Sequence, residues 1–191
     1  MDNSLSFYSG DNQLSGLVGT LIFLVGAGRS GKTTIGNILG SCENSEHMDE
    51  PWLPMMLPVM AGTEMLSQCL AKDLFISAIV ELLYDRYLMR HVNFRPQDRS
   101  SIWKQKTPKE IFSRLLHLDS RDDVRRYAKE KSPTLIISLT STLPFLEFVR
   151  KAHPACHIVH VVREGLEVAV EYHQKGWVSD RELLNPREAN P

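Results

Sequence analysis

An apolar run, Leu21-Ile22-Phe23-Leu24-Val25, leads directly into Gly26-Ala27-Gly28-Arg29-Ser30-Gly31-Lys32-Thr33 and then into a helical segment. A continuous apolar run of this length reads as a parallel strand buried on both faces. A glycine-rich turn with the spacing GxxxxGK[ST] between strand and helix is a phosphate-binding loop. The residue types explain why. Gly26, Gly28 and Gly31 let the backbone turn successive N–H groups into a concave nest. The helix that follows presents the positive end of its dipole at the same spot. Lys32 adds a point charge, and Thr33 a hydroxyl for a phosphate oxygen or a magnesium ion.

The rest of the chain repeats the alternation. The first helix runs over 31–39 and is closed by Gly40. Segment 41–62, with three prolines, reads as a short extended piece around His47-Met48 followed by a loop. A long helix is predicted over 63–91, where Leu66, Leu70, Leu74, Ala78 and Leu82 form a core stripe. Segment 93–109 is polar and basic, with Arg95, Arg99, Lys104, Lys106 and Lys109 interleaved with Phe94 and Trp103. It reads equally as the lining of an acceptor pocket and as a solvated loop. Helices over 109–118 and 121–131, a strand over 134–139, a helix over 143–151, a strand over 157–162 and a helix over 166–174 complete the chain. Strands alternating with helices, with no hairpin turns between them, imply parallel strands and right-handed crossovers. The expected class is α/β: a three-layer P-loop fold with a central parallel sheet flanked by helices. Residues 1–18 read as a flexible N-terminal segment and 19–191 as one domain.

Composition narrows the function classes. A net charge of −1 over 191 residues gives no basic field for nucleic acid or an anionic membrane. Cys42, Cys69 and Cys156 are widely spaced, so neither a disulfide framework nor a zinc site is expected, and a reducing cytoplasm is the natural location. The run 17–25 is too short to span a bilayer, and no Lys or Arg precedes it, unlike a signal sequence. His153, Cys156, His157 and His160 gather in sequence, but His157 and His160 lie on opposite faces of a strand. No metal site is expected.

The reaction is less constrained than the loop. A nucleoside triphosphatase carries a second strand ending in an acid that holds magnesium. The later strands end Ile137-Ser138-Leu139-Thr140 and Val161-Val162-Arg163-Glu164, with no such Asp. Arg163 in that place points to direct neutralisation of a phosphate.

At these residues the chain resembles the sulfotransferases that use 3′-phosphoadenosine 5′-phosphosulfate (PAPS). Gly28-Arg29-Ser30-Gly31-Lys32-Thr33-Thr34 is similar to their first signature, and Val162-Arg163-Glu164-Gly165-Leu166-Glu167-Val168 to their second. Lys175-Gly176-Trp177 looks like the bacterial members. Asp49-Glu50-Pro51-Trp52 is similar to the Glu-Pro segment that some carbohydrate sulfotransferases place beside the acceptor. The resemblance spans 20–180 and implies a sulfuryl transfer from PAPS to a hydroxyl or amine of a small molecule or carbohydrate. It implies that Gly28, Arg29, Ser30, Gly31, Lys32, Thr33 and Thr34 bind the 5′-phosphosulfate and Arg163 the 3′-phosphate. Glu50 would be the base, with Asp49 as its substitute, while Arg29 and Lys32 stabilise the leaving group. Because family members run on well past this last helix, the chain reads as a truncated or divergent member. Two departures keep an ATP- or GTP-dependent kinase or NTPase with magnesium open, and a silent nucleotide-binding module beside it. Lys32 stands where the family has Thr, and Glu171 where it has Ser. A carboxylate about 4 Å from a phosphate costs roughly 4 kcal/mol at an effective dielectric of 20, about a thousandfold in affinity.

Overall fold

The computed structural model describes Leu14 and residues 16–140 and 142–177. Its sheet has four strands, all parallel. β1 (Thr20–Gly26) lies between β3 (Thr134–Thr140) and β4 (His157–His160), and β2 (Ser45–Asp49) pairs with the far side of β3, giving the order β2-β3-β1-β4. The register sets Gly26 opposite Thr140 and Asp49 opposite Ser138. The phosphate loop and the ends of β2 and β3 therefore lie together at the carboxyl ends of the strands, where α/β proteins place their ligands. Among the described residues seven α-helices flank it: α1 (Lys32–Gly40), α2 (Trp52–Gly62), α3 (Gln68–Tyr87), α4 (Pro108–His117), α5 (Arg121–Lys131), α6 (Leu146–Ala152) and α7 (Gly165–Gln174). The α/β three-layer architecture expected from the sequence is present.

Alternation along the strands separates the layers. Leu21, Phe23 and Val25 of β1, with Leu135, Ile137 and Leu139 of β3, join the main core with α2, α3, α5 and α6. Phe75 of α3 is its centre, 5.9 Å from the Phe23 ring and edge-on to Phe148 at 5.6 Å. The opposite face of β2 carries His47 and Asp49 and meets α1. That approach needs glycine: a Cβ on Gly36 would lie 2.1 Å from His47 Nε2. Leu14 and Leu17 are buried in the main core. Val18 packs against the same core, whereas residues 1–13 and 15 of the expected flexible segment lie outside the described residues.

Three local expectations are corrected. Segment 52–62 is the helix α2 rather than loop. Pro54 sits in its first turn, where no N–H is required, and Pro58 lies inside it but is buried with Leu57 and Ala61, so tertiary packing outweighs the lost hydrogen bond. The helix predicted over 63–91 is confined to 68–87. Its buried face is centred on Ala71, Phe75, Ile79, Leu83 and Tyr87; of the expected stripe Ala78 is buried and Leu66 and Leu82 pack against the core, but Leu70 and Leu74 are 48% and 40% exposed. The helix is apolar around most of its circumference, so spacing alone does not choose the face. The leucine side instead borders a cavity of about 410 Å³ under Trp52.

β2 is polar yet buried. Glu46, fully enclosed, meets Arg86 of α3 at 3.0 Å, Lys106 at 3.4 Å and Arg114 of α4. Burial raises the Glu46 carboxyl, but Arg114, Arg86 and Lys106 outweigh it and hold it below the usual range. Lys106 also donates to the carbonyls of Gly40 and Ser45 at 2.9 and 2.5 Å. One carboxylate thus ties β2 to two helices and to the segment before α4.

The Gly36 contact yields a stability test. Gly36→Ala is expected to destabilise the fold by about 1–3 kcal/mol, the cost of overpacking a filled site, in urea unfolding. A loss below about 0.5 kcal/mol, the usual scatter of surface substitutions, would show that α1 is free to move off β2.

Candidate functional site

The loop turns into α1 through Gly31, whose φ of 101° is in the left-handed region that glycine tolerates. No side chain caps α1, so the first-turn N–H groups of the helix have no capping acceptor. Lys32 is almost wholly buried and donates to the carbonyls of Ala27 and Gly26 at 2.7 and 3.2 Å. Its ammonium is 3.8 Å from the Glu50 carboxylate. Burial lowers the Lys32 pKa, and the charges of Glu50 and Asp49 work against that shift. The Ser30 hydroxyl is buried without a partner, an orphan donor set against the strand end at Gly26.

A strand-end acid is present after all. Asp49 closes β2, and the Thr33 hydroxyl donates to its Oδ1 at 3.2 Å. Burial and then the Glu50 charge raise the Asp49 pKa, opposed by the Thr33 bond and Lys32. The expectation that no strand supplies such an Asp is therefore corrected. The acid stands on the strand before the two inspected for it, in a sequence too polar to read as a core strand. Among the described residues no group of three or more His, Cys, Asp or Glu converges on a metal position. Magnesium, however, takes hard oxygens and commonly only one or two from protein, the rest coming from phosphates and water. Thr33 and Asp49 fit that donor set.

Glu50 follows at φ 49°, and its N–H donates to the Ser138 carbonyl at 3.2 Å. Its half-exposed carboxylate accepts from the Thr140 hydroxyl at the end of β3. Arg29 in the loop is likewise left-handed, at φ 60°. Non-glycine residues held there cost on the order of 1–3 kcal/mol and collect at functional sites.

Arg29 and Arg163 come together, but not freely. Glu171 of α7 accepts from Arg29 Nη2 and Nε at 2.6 and 2.9 Å, and lies 3.6 Å from Arg163. Arg163 donates from Nε to Glu167 at 2.8 Å and from Nη1 to the Arg29 carbonyl at 3.1 Å. The Arg29 bond, more than the Arg163 charge, lowers the Glu171 pKa. Tyr172, next in α7, lies against the loop: a Cβ on Gly28 would be 2.4 Å from its hydroxyl. No residue of α7 is buried. The structure thus gathers Gly28, Arg29, Ser30, Gly31, Lys32 and Thr33 with Glu50, and places Thr34 exposed on the first turn of α1. Thr140 and Tyr172 are additions that no sequence motif marks.

Under the site, His47 Nε2 meets the Ser138 hydroxyl at 2.8 Å. Burial, then the Arg86 charge, pushes the His47 pKa down to about 4, so it is neutral at pH 7.

The chain matches no protein-family model. No curated protein matches it, and no solved structure does. Among the described residues no helix is long and apolar enough to cross a membrane.

His47 predicts a pH dependence. Its folded pKa lies below the unfolded value of about 6.5, so the unfolded chain binds the extra proton between the two. Stability is full above about pH 6.5 and falls towards pH 4, at a slope approaching 1.4 kcal/mol per pH unit. Urea midpoints measured from pH 7 to 4.5 should show this slope in the wild type and lose it in His47→Gln. An equal slope in both proteins refutes the assignment.

Proposed function

We propose that the protein is a magnesium-dependent phosphotransferase that moves the terminal phosphate of a nucleoside triphosphate to an acceptor hydroxyl. The contact that carries this reading is Thr33 to Asp49 beside Lys32. A loop hydroxyl and a strand-end carboxylate held together are the pair that phosphoryl transfer requires around its metal. Bound there by Thr33 and Asp49, magnesium would neutralise phosphate charge. The uncapped start of α1 and Lys32 receive the phosphates through backbone donors and one buried ammonium. The orphan Ser30 hydroxyl adds a donor. Glu50, exposed at the rim, takes the proton of the acceptor hydroxyl as the new O–P bond forms and the bond to the leaving diphosphate breaks. Arg29, once released from Glu171, stabilises charge on the transferred group.

One observation favours the PAPS-dependent sulfotransferase as a second reading. Arg163 reaches the loop itself, at the Arg29 carbonyl, within range of a nucleotide held there. Against it, Arg163 already meets Glu167 and Glu171, which a 3′-phosphate would have to displace.

Thermal shift with ATP, GTP and 3′-phosphoadenosine 5′-phosphate, with magnesium or EDTA, separates the readings. ATP or GTP at a hundred times its dissociation constant should stabilise the protein by about 2.7 kcal/mol, only with magnesium. Asp49→Asn should weaken that magnesium-dependent binding at least tenfold. Glu50→Gln should lower turnover with little effect on donor affinity. Stabilisation by the 3′-phosphorylated nucleotide alone, indifferent to magnesium, would replace this reading with the sulfuryl-transfer one.

A further inference from the structure

Among the described residues, most cations that meet no carboxylate lie in one segment, the others being Lys129, Arg150 and Lys175. Arg29, Arg86, Arg114, Arg121 and Arg163 all meet acids. Among the described residues, the side chains of Arg90, Arg95, Arg99, Lys104 and Lys109, between α3 and the first turn of α4, meet none. The acids nearest in sequence are engaged: Asp98 accepts from Asn93 at 3.0 Å, and Glu110 caps α4 through Thr107.

This basic segment is held in place. Ile102 is fully buried, and its N–H donates to the Asn93 carbonyl at 2.9 Å. The Trp103 ring packs edge-on to Phe94 and donates to the Phe94 carbonyl at 2.9 Å. Lys106 is anchored on Glu46. On the loop side, Asn37 of α1 donates to the Arg99 carbonyl at 2.7 Å. Between α1 and the segment lies a cleft of about 530 Å³, bordered by Thr33, Thr34, Asn37, Ser41, Arg99 and Lys104, with Ile38 as its apolar side. Residues 33 to 41 span about 12 Å of helix at 1.5 Å per residue. The cleft is longer than one phosphate, and it begins at Thr33, the residue bonded to Asp49.

We propose that this cleft is an anion subsite for the acceptor, which carries a phosphate or sulfate ester of its own; the acceptor role rests on the phosphotransferase reading above. Arg99 and Lys104 neutralise the ester, and the Thr34 hydroxyl offers a hydrogen bond on the floor; the Ser41 hydroxyl already donates to the Ile38 carbonyl and the Asn37 amide to the Arg99 carbonyl, each at 2.7 Å. Asn37, which pins Arg99, is one helical turn beyond Thr33, about 6 Å along the axis. A small phosphorylated alcohol held at the basic end thus has its other end at the reacting pair. The donor's phosphates have the loop with Lys32 and Arg29 and do not need these two cations.

Amide shifts in a titration with inorganic phosphate at constant ionic strength test the assignment. Two groups of shifts are expected in the wild type, one over 28–33 and one over 37–41 with 99–104. The surface double variant Arg99→Ser, Lys104→Ser should weaken the second at least tenfold and leave the first. A saturating non-hydrolysable ATP analogue with magnesium should abolish the first and leave the second. Sulfate in place of phosphate, and glycerol phosphate against glycerol, then show which ester is taken and whether the neutral alcohol binds without it. No response in the cleft, or one that survives the double variant, overturns the subsite. Displacement of the cleft response by the nucleotide overturns its assignment to the acceptor. A cleft response without a loop response supports the anion subsite and counts against the donor reading.

Discussion

The carboxylate of Glu46 is the fixed point of this molecule. A buried charge is tolerated only when it is paired and its hydrogen bonds are met, and here Arg86, Arg114 and Lys106 converge on it from different parts of the chain. Breaking such a pair from one side generally costs about 3–5 kcal/mol. The arrangement holds a polar strand inside the protein. Three residues on, that strand delivers Asp49 to Thr33, and the next residue turns Glu50 towards Lys32. The same network anchors Lys106 and hence the basic segment that borders α1. The acid edge of the site and its basic flank are set by one contact.

Much of this is local in origin and readable from the chain. The apolar β1, the glycine turn and α1 are consecutive, and each obeys its own short-range rule. α5 is readable for the same reason: Ser120 and Asp123 form a capping box at its start, and charged residues cover its outer face. What escaped reading depends on partners far away. β2 is polar because Glu46 and His47 meet Arg86, Arg114 and Ser138, 40 to 91 positions distant. α2 contains prolines that propensity counts against it and burial accommodates. α3 has leucines in good helical register on its less buried side, since only the completed sheet decides which face turns inward. In the site, the glycine loop with Lys32 and Thr33 was legible. The bond from Arg29 to Glu171 joins residues 142 apart, and no local pattern encodes it.

In this structure the site's charges satisfy one another. Lys32 holds the carbonyls of Gly26 and Ala27 where β1 passes into the loop, Arg29 holds Glu171, and Arg163 divides itself between Glu167 and the loop. Arg29 and Glu50, which belong to these contacts, are both held in left-handed backbone. A ligand that enters therefore exchanges partners with charges that are already neutralised.

That exchange has a consequence for α7. The helix buries none of its residues, and its contacts with the loop are the bridge from Glu171 to Arg29 and Arg163 and the Tyr172 ring on Gly28. It behaves towards the loop as a tethered competitor, present at the effective concentration its short connection to β4 dictates. An anion that uses Arg29 binds with its intrinsic strength multiplied by the fraction of molecules in which the helix has let go. By reciprocity, the bound anion frees the helix to the same degree. Any occupancy of the loop by such an anion would thereby be felt at the far end of the described chain, through a single carboxylate.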